Sequence, residues 1–254
     1  MNIEDQKNNI PPKPVSVILI AHNEAKTIRK DVEEFYGLIV EKLPGSELIV
    51  TEDGSTDGTS EILREIASRL PIKLVQGKDR KGYIRAMLDA LELPSCEWVL
   101  FSDTGGKFEP GNFWKLEKMR DQSDLIIGIK KHRHDQYYRR IITRVFNSII
   151  RMYFRVQVQD IDSGFRLFRK DLVLRAIERP FILKDLISSE LTLRMLSLGA
   201  RLAEVPVAYH LRQGKSSGMP PGKIPRVVVQ VLGSFPRLKR EVEFLRKNET
   251  GGSS

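Results

Sequence analysis

One stretch decides the predicted fold of this chain: Trp98-Val-Leu-Phe-Ser-Asp-Thr-Gly-Gly-Lys-Phe-Glu-Pro110. Its first four residues are apolar and predict a buried strand, which ends at Ser102-Asp103 shortly before two glycines. In an open α/β sheet, ligands usually bind outside the end of such a strand. We therefore predict a ligand site at Asp103. The residues before it are expected to bind one ligand, and the residues after it a second ligand.

Strands and helices are predicted to alternate on both sides of this stretch. Apolar and β-branched runs predict strands at 15–21, 47–50, 71–76, 97–102, 124–129 and 201–209, with a loop and short strand at 160–169. Helical patterns are found at about 25–42, 57–69, 82–92, 111–120, 138–154 and 185–198. This alternation indicates an α/β fold with a mostly parallel, doubly wound, Rossmann-like sheet.

Composition divides the chain into a folded domain and flanking segments. The predicted parts are 1–14 (disordered tail), 15–217 (folded domain with halves 15–110 and 111–217), 218–247 (two short basic amphipathic helices) and 248–254 (disordered tail). The helix at 138–154 is also amphipathic, with a basic face opposite an apolar face. Such helices can pack on a core or lie in a membrane interface.

The net charge of +9 is concentrated in the second half of the chain. Residues 130–155 contain eight Lys or Arg and one acid, and residues 207–247 contain nine and two. Such basicity suits an anionic lipid, a phosphorylated acceptor or nucleic acid. Nucleic acid is the least favoured partner, because the aromatic residues are scattered and form no stacking platform.

The sequence contains no apolar run near the length of a membrane span and no secretory signal. Its single cysteine, Cys96, permits no disulfide within one chain. We therefore expect a cytoplasmic protein, or one that lies peripherally on the cytosolic face of a membrane.

Carboxylates follow three of the predicted strands. Glu24 follows the first strand, Glu52-Asp53 the second, and Asp103 the fourth. Parallel strands end at one sheet edge, so these acids are expected to line one crevice, where they could bind sugar hydroxyls or a metal–diphosphate. The alternative for the Glu52–Gly58 segment is an ordinary capped turn, since Asp, Ser, Thr and Gly all favour turns.

Two nucleotide-binding motifs are absent. No G-x-G-x-x-G follows the first strand, which argues against a dinucleotide fold. Gly214-Lys215-Ser216 resembles the end of a P-loop, but Tyr209 replaces its first glycine. His132 and His134 lack a carboxylate or cysteine partner at ligand spacing, so a solvated loop is the favoured interpretation.

Taken together, these motifs resemble the family 2 glycosyltransferases of GT-A fold, in particular the polyprenyl-phosphate or dolichyl-phosphate sugar transferases. The segments that carry the resemblance are 15–24, 52–59 (Glu-Asp-Gly-Ser-Thr-Asp-Gly-Thr), 80–86, 160–166 (Asp-Ile-Asp-Ser-Gly-Phe-Arg), 204–206 (Glu-Val-Pro) and 212–216. The resemblance implies an inverting hexosyltransferase with a GT-A-like sheet.

The resemblance also implies a nucleotide-sugar site in the first half. The residues expected to bind the nucleotide-sugar are Ala21, Asn23, Glu24, Glu52, Asp53, Lys81, Arg85 and Asp103. Asp103 matches the first acid of the family's Asp-x-Asp motif, which binds Mg²⁺ or Mn²⁺. Gly105 replaces the second acid and Lys107 the usual Gln, so the implied metal site is incomplete.

For the second half, the resemblance implies a polyprenyl or dolichyl phosphate acceptor at an anionic membrane surface. The residues expected to bind the acceptor phosphate are Lys130, Arg139, Thr143, Arg166 and Arg212. Asp103, Lys107 and Asp160 are the expected catalytic residues. If the acceptor is instead a hydroxyl, a general base is required, and Asp185 is the candidate.

Two other functions fit the same sequence. One is a glycosyltransferase that acts on a glycan hydroxyl. The other is a catalytically silent nucleotide-sugar-binding protein, which Gly105 favours and the acceptor-side motif at 160–166 argues against.

Overall fold

The computed structural model describes residues 13–131, 137–183, 186–211, 222 and 224–251, with the side chains of 131, 137–140, 224, 225, 250 and 251 left out. The strands are β1 Val15–Ala21, β2 Glu47–Glu52, β3 Lys73–Gln76, β4 Trp98–Asp103, β5 Leu125–Lys131, β6 Phe165–Arg169 and β7 Leu202–Ala208. The α-helices are α1 Ile28–Phe35, α2 Thr59–Ala67, α3 Tyr83–Leu91, α4 Phe113–Glu117, α5 Tyr137–Phe154, α6 Lys170–Ile177, α7 Ile187–Ser197 and α8 Ile224–Gly251. A π-helical turn, Tyr36–Val40, extends α1, and a 3₁₀ turn, Pro110–Asn112, precedes α4.

The seven strands form one sheet in the order β3-β2-β1-β4-β6-β5-β7. β6 is antiparallel to both of its neighbours, and the other strand pairs are parallel. The predicted α/β fold with a mostly parallel sheet is therefore confirmed. The reversal of β6 brings its first residue, Phe165, to the edge where the parallel strands end.

Both faces of the sheet are covered, which explains the continuous apolar character of its central strands. On one face Ile18 and Ile20 pack into a core with residues of α3, α5, α6, α7 and α8. On the other face Val17 and Leu19 pack into a core with residues of α1, α2 and α4. The alternation of side chains along β1 thus supplies both cores.

The C-terminal segment differs from the sequence prediction. Instead of two short helices and a tail that begins at 248, one helix, α8, runs from Ile224 to Gly251 with Pro236 inside it. Its buried residues are Val231, Phe235, Leu238, Val242 and Leu245. Phe235 packs against Tyr153 and Phe154 of α5, with ring centroids 5.2 Å apart in both cases. α8 is therefore part of the core, although the sequence predicted a separate membrane-associating region.

One smaller difference concerns the helices. α6 was not predicted; the sequence assigned a loop and short strand to 160–169 and no element to the segment that follows. Within the described part of the chain, we find no helix with both the length and the apolar character needed to cross a bilayer.

Candidate active site

The carboxyl ends of β1, β2 and β4 lie side by side. The register pairs Ala21 with Glu52 and Ile20 with Asp103, so the three strands end at nearly the same level. The chain leaves β1 toward β2 on one side and returns to β4 on the other, which makes the β1–β4 boundary the switch point where α/β sheets bind ligands. The structure thus brings the predicted strand-end acids to one edge of the sheet, which outlines the expected crevice.

Asp53 links the turn after β2 to the start of α3. Its two carboxylate oxygens accept the backbone N–H groups of Lys81, at 2.7 Å, and of Gly82, at 3.0 Å. Its side chain is buried. Each carboxylate oxygen can accept more than one hydrogen bond, so this anchoring still permits a contact to a ligand hydroxyl.

The same turn requires a glycine at position 54. The residue has φ of 61°, and a Cβ there would collide with the backbone at Arg80. The close approach of the two segments, which Asp53 fastens, therefore depends on the absence of a side chain.

Asn23 and Glu52 fix the turns that follow β1 and β2. Asn23 has φ of 54° and accepts the N–H of Thr56 at 2.9 Å through its Oδ1. The buried Glu52 carboxylate accepts the N–H of Ser55. These polar groups hold the backbone that forms the wall of the crevice. This is the role expected under the alternative interpretation of 52–58 as a capped turn.

Glu24, the acid that follows β1, is buried like Glu52 and Asp53. It is 6% exposed, and the hydroxyls of Thr27 and Thr104 lie 3.4 Å from its carboxylate oxygens. Its own N–H donates to Thr59 Oγ1 at 2.9 Å. Glu24 is thus placed between the end of β1 and the loop after β4, beneath the floor of the crevice.

Lys81 and Arg85 both pair with Asp89 on α3, at 2.7 and 2.9 Å. Their side chains are largely exposed, and their pairing along the helix surface does not join them to the crevice acids. Tyr83, at the start of the same helix, donates from its hydroxyl to Asp103 Oδ1 at 3.3 Å. The sequence analysis missed Tyr83; its position directly after the Lys81-Gly82 segment was the available signal.

Asp103 pairs with Lys107 at the centre of the site. Lys107 Nζ lies 2.9 Å from Asp103 Oδ2. Desolvation acts to raise the pKa of Asp103, but Lys107, Lys130 and the Tyr83 hydroxyl together outweigh it and lower the pKa overall. The Asp103 carboxylate is therefore already paired with a counterion, the ammonium of Lys107.

The loop that returns Lys107 to Asp103 is held by a buried acid, Asp31 of α1. Its carboxylate accepts the N–H of Gly105 at 2.8 Å and that of Gly106 at 3.2 Å. Burial raises the pKa of Asp31, while the two N–H groups act to lower it. The sequence analysis missed Asp31. The signal was a carboxylate on the apolar face of α1, in register with Ile28, Val32 and Phe35.

The residues around Asp103 do not fit a protein-held divalent ion. Among the residues that the structure describes, no three His, Cys, Asp or Glu side chains are grouped closely enough to hold a metal. One oxygen of Asp103 already accepts from Lys107, and the second acid of the implied motif is Gly105, whose N–H is directed to Asp31. The described protein side chains alone therefore do not complete a divalent-metal site at Asp103.

The motif at 160–166 enters the site beside Asp103. The carbonyl of Gly164 accepts the Asp103 N–H at 2.8 Å, and a Cβ on Gly164 would collide with the Asp103 carboxylate. Glu204 of β7 holds the start of the motif by accepting the N–H groups of Gln159, at 2.7 Å, and Asp160, at 3.2 Å. This gives the Glu-x-Pro segment a positioning role.

The predicted phosphate contact of Arg166 disagrees with the structure. Its side chain is fully buried, and its guanidinium donates to the carbonyls of Ile161, Ser163 and Ser188 and to Thr192 Oγ1. Arg166 therefore fastens the loop to α7 from within the core, and an acceptor phosphate has no access to it.

Lys130 and two aspartates form the polar end of the acceptor side. Lys130 Nζ lies 3.9 Å from Asp160 Oδ2 and 5.2 Å from the ring centroid of Tyr209. Asp162 was not predicted as a site residue, although it lies inside the motif. Asp162 is exposed as a residue, but desolvation of its carboxyl by the neighbouring groups raises its pKa to about 6, although Lys130 and Arg166 act to lower it.

A cavity of about 510 Å³ opens from these charged groups. Its polar end contains Lys130, Asp160, Asp162 and Tyr209, and Thr143 also lines it. Its walls are apolar and come mainly from α5 and α8. The wall residues include Ile142, Val145, Phe146, Ile149, Val227, Val228, Val231 and Leu232.

Three predicted site residues are not tested by these contacts. Asp185 and Arg212 lie outside the described residues, as do His132 and His134. Arg139 lies on α5, but its side chain is not among those described.

Comparison with known proteins gives a consistent result. The model of the family described as "Glycosyl transferase family 2" matches residues 16–175. A dolichol-phosphate mannosyltransferase of Pyrococcus furiosus is 27% identical over 210 residues, which are 78% of this chain and 57% of that protein. An undecaprenyl-phosphate mannosyltransferase of Micrococcus luteus is 26% identical over 234 residues, which are 85% of this chain and 92% of that protein.

The fold has solved counterparts. Glucosyl-3-phosphoglycerate synthase from Mycobacterium tuberculosis, in complex with Mg²⁺ and UDP, superposes with a TM-score of 0.68 at 20% identity, covering 93% of this chain and 84% of that one. Other crystal structures of that enzyme contain Mn²⁺ and UDP. At this identity the likeness concerns the fold, and it agrees with the GT-A-like sheet expected from the sequence.

Proposed function

The chain belongs to glycosyl transferase family 2 and is a glycosyltransferase, and from that premise we propose that it transfers a sugar from a nucleotide-sugar to a polyprenyl phosphate, with inversion at the anomeric carbon. The observation that carries this proposal is the cavity between α5 and α8, because its walls are apolar and charged side chains are grouped together in its lining. An isoprenoid phosphate has the same two parts, an apolar chain and an anionic head. The names of the Pyrococcus and Micrococcus relatives support the same acceptor class.

Lys130 is the described cation best placed for the acceptor phosphate. It lies at the polar end of the cavity, and its 3.9 Å separation from Asp160 is longer than a direct hydrogen bond. Asp160, held by Glu204, orients this ammonium. The cavity walls, including Ile142 and Val231, would hold the first isoprene units by burying them from water.

The donor occupies the crevice at the ends of β1, β2 and β4. Glu24, Glu52 and Asp53 form the side that receives the base and ribose, and Asp103 with Lys107 lies where the diphosphate meets the acceptor. Asp53 and Asn23 keep the turns of this crevice in place through their backbone hydrogen bonds.

The transfer needs no general base. An oxygen of the acceptor phosphate attacks the anomeric carbon, and the bond from that carbon to the diphosphate oxygen breaks, with its electron pair leaving on the diphosphate. Because the attacking oxygen carries no proton, catalysis consists of alignment and of stabilising the charge on the leaving group. The two sites meet at the Asp103–Gly164 hydrogen bond, which supports direct in-line attack.

The same cavity suggests where a membrane would contact the protein. Ile141 and Val145 of α5 and Val228, Val229 and Leu232 of α8 are exposed apolar residues near its mouth. Arg144 and Arg226 lie among them in sequence and are exposed. We propose that this surface rests on an anionic bilayer on the cytosolic side, so that the lipid enters the cavity from the membrane.

A hydroxyl acceptor is the second candidate function, and Asp162 is the observation that favours it. A carboxyl with a pKa of about 6 at the acceptor site is suited to act as a general base. In that reaction Asp162 would take the hydroxyl proton as the new glycosidic bond forms. Asp162→Asn would then reduce turnover by about 10²-fold or more, whereas transfer to a phosphate acceptor would persist.

The proposal is tested by supplying nucleotide-sugars with and without undecaprenyl or dolichyl phosphate and measuring lipid-linked sugar. We expect product only with the phosphorylated lipid, and none with the corresponding free alcohol. Lys130→Gln should raise the KM for the lipid, while Lys118→Gln, on the other side of the sheet, should not. Transfer to a free sugar hydroxyl in the absence of lipid would contradict the proposed acceptor.

A further inference from the structure

We infer that the Lys107 ammonium neutralises the diphosphate of the donor, so that donor binding and departure of the nucleotide do not depend on a divalent metal. The inference rests on the proposed function, since it assigns a role within the donor site. It explains the disagreement between the metal motif implied by the sequence family and the residues found around Asp103.

The position of Lys107 is the first support. Its ammonium lies 2.9 Å from Asp103, the residue that would otherwise bind the metal, and both side chains are about one-fifth exposed, at 23% and 22%. Both groups are thus reachable from the crevice. An ammonium has three N–H donors, so one group can bridge a carboxylate and a phosphate oxygen, as a metal ion does.

The backbone of the loop is the second support. Gly105 has φ of 91° and Gly106 has φ of 65°, which place both in the left-handed region. Residues with a side chain rarely adopt that conformation. The loop shape that brings Lys107 to Asp103 therefore disfavours an aspartate at position 105.

The loop is also fastened at both ends. Asp31 accepts the N–H groups of Gly105 and Gly106. At the other end of the loop, the carbonyl of Lys107 accepts the N–H of His210 at 2.8 Å, and Phe108 pairs with Tyr209 in a short antiparallel bridge. Lys107 is thus held between two anchored segments, which preorganises its charge for the leaving group.

The chemistry requires only a cation at this position. When the bond to the anomeric carbon breaks, the electron pair remains on the terminal phosphate of the nucleoside diphosphate. A lysine ammonium beside that oxygen stabilises the new charge without any proton transfer. Asp103 holds the Lys107 ammonium in position between turnovers through their 2.9 Å contact.

The test compares nucleoside diphosphates with monophosphates in the full chain. UDP, UMP, GDP and GMP are titrated calorimetrically in EDTA, and then with Mg²⁺ or Mn²⁺. We expect a diphosphate to bind about tenfold or more tightly than its monophosphate in EDTA, because the terminal phosphate gains a charge-assisted hydrogen bond. Lys107→Met should reduce this ratio to about one, and Lys107→Arg should retain most of it.

Lys73→Met is the matched control, because Lys73 also pairs with a carboxylate, Glu47 at 3.0 Å, but at the opposite edge of the sheet. Its ratio should equal that of the native chain. A diphosphate preference that appears only with Mg²⁺ or Mn²⁺, or that survives in Lys107→Met, would overturn the inference. If Lys107→Met does not fold, the diphosphate preference of the native chain in EDTA still tests whether donor binding requires a metal. Absence of binding by every nucleotide would overturn the proposed donor site, and this inference with it.

Discussion

Gly164 shows how one missing side chain joins the two substrate sites. Its carbonyl accepts the Asp103 N–H, and its Cα faces the Asp103 carboxylate so closely that no Cβ fits. The glycine of the Ser-Gly-Phe-Arg motif is therefore required by the neighbouring strand, and its flexibility is not the reason for its presence.

Gly164→Ala is expected to displace the Asp103 carboxylate and with it Lys107. We expect sugar transfer to fall by about tenfold or more, and stability to fall by about 1–3 kcal/mol from overpacking. Gly111→Ala is the control, since a Cβ there would contact nothing. Turnover and thermal unfolding of the two variants provide the measurement; native turnover in Gly164→Ala would show that Asp103 is not placed by this contact.

Asp162 gives a pH-dependent prediction. Its pKa is raised to about 6 in the folded protein from 3.8, so its protonated form favours folding, and that contribution is lost as the pH rises through about 6. Asp162→Asn should therefore raise the melting temperature more at about pH 8 than at about pH 5. A stabilisation equal at both pH values would contradict the assigned shift.

At the level of single residues, strand-end chemistry was predictable and hydrogen-bond partners were not. Asp103, Glu52 and Asp53 were located because strand periodicity identifies which residue follows a buried strand. Arg166 was assigned to a phosphate through the family resemblance, whereas its partners include Ser188 and Thr192, which are distant in sequence. Long-range contacts of this kind leave no periodic signal.

The pair of helices α5 and α8 forms the element on which the acceptor proposal depends. α5 was predicted nearly to its ends because its amphipathic pattern is strong over 18 residues. α8 was predicted as two helices because Pro236 normally ends a helix. The sequence pattern of α8 also could not show that the apolar side of this helix packs against Phe154 and α7.

Filling the cavity between the two helices is expected to block the lipid. Ile142→Trp, on the cavity wall, should raise the KM for polyprenyl phosphate by about tenfold or more while donor binding is unchanged. Met152→Trp is the control on the same helix, because Met152 is 80% exposed and does not line the cavity. Equal lipid kinetics in the two variants would argue against the cavity as the acceptor site.

For the whole molecule, the proposed membrane face predicts a localised effect on lipid binding. Val229, 72% exposed on α8, should contact the bilayer, so Val229→Asp is expected to weaken co-sedimentation with anionic vesicles several-fold. Val75→Asp, at an exposed position on the edge strand β3, should leave binding unchanged. Vesicle binding that is insensitive to Val229→Asp would refute this orientation. Point substitutions are preferable to deletion, since α8 also completes the core.

The overall α/β architecture was predictable because buried parallel strands have long apolar runs. The position of β6 was not, since a five-residue strand carries no mark of its direction or neighbours. Yet β6 determines where the acceptor motif lies. Its reversed course between β4 and β5 delivers residues 160–164 to the end of β4 rather than to the opposite edge.

The same strand decides whether the protein can be divided. β6 belongs to the second half of the sequence but pairs directly with β4 of the first, through the register Phe101–Arg166. A fragment that ends at Pro110 would leave β4 with an open, apolar edge able to join other chains. Exchanging donor halves between related enzymes at that boundary would therefore place a foreign β4 against β6. A functional chimera must therefore take residues 98–103 and 160–169 from the same parent enzyme.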